Sequence, residues 1–579
     1  MHIFPTNDEV ELVAELLVKK YKVSMQLLCH LFGADQRDQA NSILQKFNKE
    51  RLKPLDVARL LVQREGPALF SGGIEAKRDL RFHLLKKLPE SKIKILFDKH
   101  PVINKKILST SYMRKPLSEK KWHSGKHWAR DFISAFNFPP IFAGIVQDEK
   151  VDTIENISPL IVPPKLAAFQ IDLKKKMLEV LERDGQKTRC IVTLPTGGGK
   201  TRVAVEAFID WMQPRFAEGK YLIWIAQSEE LCEQAIECIK QMWGSREFVS
   251  SLSIYRFFGS RNIPMEKLRG GAVVTSIQQL HNRIKSKDKS LEAILKDVGA
   301  MIIDEAHKAV SSMYDSLLNK AIEICGDELF PICGLTATPG RAGLFSTEET
   351  NKLIGRFEAY LVKPKLGGEY EKNPLQYFRE HRFLAKANHI IFSSGREYTL
   401  TDDELNEQRH WDDHIPPGFL KRLAADKIRN YQIIRKLLEL PNDTSTLIYA
   451  CTVQHAYFLS IILTMQGRKA GVISSNTPVT LRRALIHDFK ERKFDFLCNF
   501  GVLTTGFDAP KTECIAICRP TTSEILYEQI IGRGLRGPEF GGTLECTIID
   551  FADNIHRLGP PLAYARFAEF WNKQKTEGD

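Results

Sequence analysis

Residues 194–201 read Leu194-Pro195-Thr196-Gly197-Gly198-Gly199-Lys200-Thr201, a run whose chemistry suits an anion. Three glycines let the backbone fold tightly, so successive N–H groups point at one centre. The loop opens what reads as a helix, whose N-terminal dipole favours the same negative charge. In such a loop Lys200 reaches the outer phosphates of a nucleotide and the Thr201 hydroxyl ligates Mg2+. A glycine at position 194 would complete the usual phosphate-loop pattern, but leucine stands there. About a hundred residues on, the apolar stretch 298–303 delivers Asp304 and Glu305 side by side, followed by Ala306 and His307. The C-terminal end of a strand is where α/β folds gather their ligands. There Asp304 would hold the metal, and Glu305 would orient or deprotonate an attacking water. Loop, metal carboxylate and base together predict nucleotide hydrolysis.

These groups need rigid elements to hold them, and the flanking patterns supply them. Cys190-Ile191-Val192-Thr193-Leu194 is a short apolar run of the kind a buried parallel strand requires, and 202–212 reads as a helix. Further strands are expected at 221–226, 272–275, 300–304 and 331–336, so that 161–345 forms a doubly wound parallel sheet. The rhythm returns at 446–451, 469–473, 494–499, 513–518 and 545–551, a second α/β block over 428–560 with no lysine loop of its own. It carries Gln529-Ile530-Ile531-Gly532-Arg533-Gly534-Leu535-Arg536, whose two arginines are expected on one helical face. An arginine supplied across a cleft stabilises charge on a transferring phosphoryl group and is worth about 10³–10⁵ in rate. Residues 346–427 read as a connector with an insertion, and 561–579 as a C-terminal helix.

The chain has 579 residues, enough for three or four domains, and its 43% hydrophobic and 27% charged residues fit a globular protein. No apolar run approaches membrane-spanning length, and the first fifteen residues carry acids where a leader would be basic and apolar. A cytoplasmic protein without a membrane role is expected. The eleven cysteines are scattered through strand-like and helical segments, as small buried hydrophobes of a reducing compartment would be. Cys514 and Cys518 share one apolar run without a second pair, and His123 and His127 lack cysteine or carboxylate partners, so no zinc site is expected.

Taken together, the motifs between 164 and 560 resemble the DEAH-box branch of the superfamily 2 helicases and translocases. Phe169-Gln170 resembles the family's adenine-reading glutamine, and 196–201 its phosphate loop. Residues 227–234 and Thr275-Ser276-Ile277-Gln278 fall where the family's first domain touches the nucleic-acid backbone. Asp304-Glu305-Ala306-His307 resembles the DEAH box, and Thr336-Ala337-Thr338-Pro339 the motif that couples hydrolysis to domain movement. Thr504-Thr505-Gly506-Phe507-Asp508-Ala509-Pro510 resembles the motif that joins the second domain to nucleotide and strand, which implicates Gly506 and Asp508 in binding ATP. Residues 529–536 resemble the arginine-finger motif, with Gln529, Arg533 and Arg536 in catalytic roles. The resemblance implies an α/β fold of two RecA-like doubly wound parallel-sheet domains in tandem, ATP and Mg2+ as cofactors, and a nucleic-acid strand across both domains. The Gly-Phe-Asp-Ala-Pro form and the tail Ile549-Asp550-Phe551 are similar to the RadD-like group and to restriction-enzyme motor subunits, which favours DNA over RNA. RadD-like proteins continue into a four-cysteine zinc module, whereas no cysteine follows Cys546 here. The implied activity is an ATP-dependent helicase or translocase. Two other roles use the same motifs: a nucleic-acid-gated switch or recruitment platform that never separates strands, and the motor arm of a nuclease complex.

The first 160 residues match none of these motifs. Helical periodicity at 10–31 and 41–62 suggests a small helical module over 1–76, winged-helix-like or protein-docking. A basic region follows over 77–160. Between Lys77 and Arg130 stand sixteen Lys or Arg against four acids, which equals the whole chain's net charge of +12. Phe82, Phe97, Tyr112, Trp122 and Trp128 are interleaved with them. Such a pattern suits a polyanion with stackable bases, a solvated basic surface being the alternative. Every catalytic motif lies after residue 165, so the two α/β domains are expected to fold and hydrolyse ATP without the first 150 residues.

Overall fold

A computed structural model describes residues 5–47, 49–101, 109–144, 154–157, 165–185, 187–246, 251–259, 261, 263–325, 330–337, 346–371, 374–408, 415–475, 477, 479–503, 509 and 511–556. The first sheet holds β1 (Ile154–Ile157), β2 (Arg189–Thr193), β3 (Tyr221–Ala226), β4 (Leu252–Phe257), β5 (Gly271–Ser276), β6 (Val298–Asp304), β7 (Ile332–Thr336) and β8 (Leu361–Val362). Their order is β1-β4-β5-β3-β6-β7-β2-β8. β3 is apolar from end to end and buried throughout, as a strand covered on both faces requires. Helices Ala168–Leu181, Lys200–Met212 and Glu229–Trp243 fill one face, where Trp211, Trp224 and Trp243 are all core residues. Helices Ile277–Lys285 and Ser312–Cys325 fill the other.

The second sheet holds β9 (Lys386–Thr399), β10 (Thr446–Tyr449), β11 (Ala470–Ile473), β12 (Phe496–Asn499), β13 (Cys514–Ile517) and β14 (Glu545–His556), all parallel, in the order β11-β12-β10-β13-β14-β9. Two doubly wound parallel sheets in tandem are the RecA-like pair that the motifs imply.

Some boundaries differ from the sequence reading. β1, inside the basic segment, is the antiparallel edge of the first sheet, with Ile154 opposite Tyr255. The stretch 346–427 is shared out between the sheets: β8 lies beside β2, with Ile191 opposite Leu361, and β9 runs along β14. β9 carries no apolar strand pattern, because Lys386–Thr399 is mostly exposed and polar, as an edge strand is. Helix Asp402–Gln408 does begin after Thr401, through a capping box: Thr401 Oγ1 accepts from Glu404 N at 3.3 Å, and Glu404 Oε2 accepts from Thr401 N at 2.9 Å.

The N-terminal helices form one module, with no break at residue 76. Tyr21 OH donates to Phe136 O at 2.7 Å, and Phe70 packs on Trp122, Phe132 and Phe138. The aromatics of the basic segment are therefore core: Phe97, Trp122 and Trp128 are buried and Phe82 half-buried. Tyr112 alone of the five is exposed, at 72%. The expected stacking platform is not built.

That module is docked on the second sheet through helices Lys427–Leu438 and Val453–Met465. Phe47 meets Tyr431 with ring centres 5.0 Å apart, Arg64 lies over the Tyr457 ring, and Lys49 Nζ donates to Met465 O at 2.7 Å. Leu44, Leu61, Ile434, Phe458 and Ile462 belong to one continuous hydrophobic core. Helix Val453–Met465 is apolar nearly all round because it is covered on both sides. Beneath it Arg429 and Asp553, both fully buried, form a bidentate pair, with Nη2 to Oδ2 at 2.8 Å and Nε to Oδ1 at 2.9 Å. Among the described residues no helix is long and apolar enough to cross a membrane.

Candidate nucleotide site

The phosphate loop leaves the sheet at the end of β2. Leu194 is 1% exposed and belongs to the core, so the position where a glycine was expected serves packing. Gly198 N donates to Pro195 O at 2.9 Å and closes a turn. Gly197 and Gly199 stand at φ +87° and +85°, a left-handed conformation that glycine adopts without cost. Gly199 caps the helix Lys200–Met212, and Thr201 occupies its first turn. Lys200 Nζ donates to Leu194 O at 2.9 Å and Pro195 O at 3.3 Å. Burial lowers its pKa, while the charges of Glu305 and Asp304 oppose that shift.

Gln170, which the resemblance assigns to adenine, braces the loop from behind. It is 1% exposed, its Nε2 donates to Gly198 O at 3.2 Å and its Oε1 accepts from Ala167 N at 3.0 Å. A Cβ on Gly199 would fall 2.5 Å from that Nε2. Phe169 packs edge-on against Phe378 and Phe383, at 5.0 and 5.1 Å.

The carboxylates arrive at the end of β6. Asp304 is 7% exposed, and its Oδ1 accepts from Glu305 N at 3.0 Å. Burial, with the charge of Glu305 added, pushes the Asp304 carboxyl up to about 7, against the pull of Lys200 and Arg533. Two adjacent carboxylates beside a phosphate loop fit a hard divalent cation, which binds through one or two carboxylates plus phosphates. Glu305 adopts φ +51°, an uncommon conformation for a residue with a side chain. His307 joins it to β7: Nδ1 lies 3.3 Å from Glu305 Oε2 and 3.2 Å from Thr336 Oγ1. Glu305 is thereby tied to Thr336, the first residue of the Thr336-Ala337-Thr338-Pro339 motif. Thr338 and Pro339 of that motif lie outside the described residues, as do Gly506 and Asp508.

The second domain covers this loop with residues 528–536. The expectation of two arginines on one helical face does not hold, because helix Glu524–Ile531 ends at Gly532. Gly534 then passes so close to Cys546 that a Cβ would lie 2.3 Å from its Sγ, and Arg536 pairs in a β-bridge with Leu384. Arg533 Nε donates to Gln529 O at 3.2 Å, and the Arg533 charge acts on both Lys200 and Asp304. The Gln529 side chain is buried, at 9% exposure. Arg536 Cα lies 3.9 Å from where a Cβ on Gly197 would stand. Glu528, which the sequence did not single out, also acts on Lys200 from across the cleft, and burial raises its carboxyl. Behind them Tyr527 OH donates to Asp550, whose Oδ2 also lies 2.6 Å from His389 Nε2, so this helix is pinned to β14 and β9.

An anion cradle and a buried carboxylate in one RecA-like domain, both within the field of an arginine from the next, fit an enzyme of the ATPase/helicase class. The comparisons narrow this. Residues 164–341 match the model of the Type III restriction enzyme, res subunit, and 429–537 that of the helicase conserved C-terminal domain. The two matched domains are together those of a superfamily 2 helicase resembling the restriction-enzyme motors. It is 28% identical over 376 residues to IRC3 of Saccharomyces cerevisiae, named as an ATP-dependent helicase, covering 64% of this chain and 49% of that protein. It is 27% identical over 422 residues to irc3 of Schizosaccharomyces pombe, named as a mitochondrial ATP-dependent helicase, covering 71% and 62%. The chain therefore spans only about half of the first of these curated relatives and 62% of the second. Among solved structures, Mss116p bound to ssRNA and AMP-PNP aligns with a TM-score of 0.46 at 16% identity, over 68% of this chain and 70% of that one.

Proposed function

We propose that the chain is a nucleic-acid-dependent ATPase of the DEAH-box kind, which hydrolyses ATP between its two domains to move along or remodel DNA. The observation that carries this reading is the closeness of the second domain to the phosphate loop, which puts the Arg533 charge on Lys200 and Asp304. Thr201 and Asp304 would hold Mg2+, which neutralises charge on the phosphates. Lys200 holds the outer phosphates, Glu305 takes the proton of the attacking water, and His307 holds Glu305 in place. Arg533 and Arg536, whose backbone lies against Gly197, meet the charge that develops in the transition state, in a cleft from which closure excludes water. Gly506 and Asp508 are further nucleotide contacts in this reading. DNA is favoured because the matched first-domain model is named for a restriction enzyme. The exposed Lys92, Lys94, Lys99, Lys121 and Lys126 of the docked N-terminal module would meet phosphates or an acidic protein partner. Eleven free cysteines, nine of them buried, suit a reducing compartment such as the cytoplasm.

The test is ATP turnover with and without single-stranded DNA, duplex DNA and RNA, beside strand displacement on the same samples. Stimulation by DNA with displacement is expected. Stimulation without displacement would make the protein a translocase or switch, and stimulation by RNA alone would overturn the DNA assignment. Arg533→Ala should lower kcat by about 10³-fold or more while ATP still binds.

A further inference from the structure

Glu233 lies in helix Glu229–Trp243, inside the segment 227–234 that the resemblance places against a nucleic-acid backbone. A carboxylate there would repel a strand, yet three guanidiniums converge on it. Arg256 of β4, 2% exposed, places Nε 3.3 Å from Oε2. Arg261 places Nη2 3.9 Å from Oε1, and its guanidinium is held over the Phe258 ring, 4.9 Å from the centre. The third comes from the other domain: Arg483, in helix Val479–Lys490, places Nη2 3.1 Å from the same Oε1. Glu229 lies nearby, its Oε1 3.1 Å from a Cβ built on Gly259. Three cations against these two acids leave the cluster net positive.

Guanidiniums arranged around one oxyanion match a phosphate as well as a carboxylate. We propose that Glu233 is the resident occupant of an interdomain anion subsite, and that a backbone phosphodiester of bound nucleic acid takes its place among Arg256, Arg261 and Arg483. The subsite is complete only when the domains are closed, because Arg483 belongs to the second. Glu233 then competes with the strand, and Arg483 makes strand binding depend on closure. This rests on the nucleic-acid-motor reading.

The test is fluorescence anisotropy of a labelled oligothymidylate with the full chain, with and without AMP-PNP, over a salt series. Removing the competing charge in Glu233→Gln should tighten binding in AMP-PNP by about threefold to tenfold and steepen the log-affinity slope against log salt by up to about 0.7. Arg483→Ala should weaken binding about tenfold in AMP-PNP and less than twofold without it, a change tied to one phosphate contact. Arg483 is 50% exposed, so this variant does not threaten folding and stands as a second test if Glu233→Gln unfolds. A folded Glu233→Gln that binds equally or more weakly would show that Glu233 only positions the arginines. Equal weakening of Arg483→Ala with and without nucleotide would equally overturn the proposal. Wild-type protein that binds no nucleic acid at all would instead sink the motor reading beneath it.

Discussion

Gly532 of the second domain lies directly against Thr196 of the phosphate loop: a Cβ built on Gly532 would fall 2.2 Å from Thr196 Cγ2. The backbone of Gly532 is ordinary right-handed helix, with φ −60°, so space and not conformational freedom demands glycine there. Gly532→Ala should therefore hold the domains apart. kcat should fall by at least tenfold, since the arginine contribution of about 10³–10⁵ requires closure. ATP affinity, set mostly by the first domain, should change by less than about threefold, because a uniform binding interaction and a transition-state one separate in KM and kcat. Normal turnover would show that this approach is not used in catalysis.

Lys200 and Glu305 should fail in different ways. Lys200→Ala removes the cation that serves the phosphates, so binding and hydrolysis are both lost. Glu305→Gln keeps Asp304 and loses the base, so ATP should bind and persist while turnover drops by about 10²–10⁴. Equilibrium binding of a fluorescent ATP analogue beside single-turnover hydrolysis separates the two. A Glu305→Gln protein that hydrolyses ATP at the normal rate would remove Glu305 from the role of base.

Acid should weaken the second domain through His455. This ring is 2% exposed, with Nδ1 accepting from Cys451 N at 3.1 Å and Nε2 3.0 Å from Asn430 Oδ1. Burial, aided by the Arg429 charge, lowers its pKa from 6.5 to about 3. The folded state thus keeps the ring neutral where the unfolded chain takes a proton. Its contribution is fully present above pH 6.5 and is lost as pH falls towards 3, by about 1.4 kcal/mol per unit. Urea unfolding between pH 7.5 and 5 should show a shallower pH dependence for His455→Gln than for wild type. Parallel curves would mean that the ring does not stay neutral.

Removing residues 1–150 should damage the second domain, contrary to the expectation from motif positions. The truncation would uncover the faces of Lys427–Leu438 and Val453–Met465 that share a core with Leu44 and Leu61. A patch of that kind promotes aggregation. Thermal unfolding should show the loss of the cooperative transition of the second domain, with little change for one ending near residue 341. A truncated chain as soluble and stable as the full one would show that the module is only appended.

The nucleotide site was legible because its chemistry is local. A phosphate loop is built by consecutive backbone groups, so Thr196 to Thr201 declare it, and Asp304-Glu305 follow a strand whose apolar run is visible. Burial on both sides also shows locally, in strands such as β3 and in helix Val453–Met465. What covers those surfaces does not show. That the N-terminal module lies on the second sheet, that its tryptophans are core, and that polar β9 joins β14 all depend on partners far away in the chain. The same holds for Gln170 behind the loop, for the helix that stops at Gly532, and for Glu233 among arginines from both domains. The sequence by itself determined which residues can do chemistry, because that follows from neighbours along the chain. Only the tertiary structure decided which of them meet, because a contact between Thr196 and Gly532 is set by how two sheets close and by no pattern within either segment.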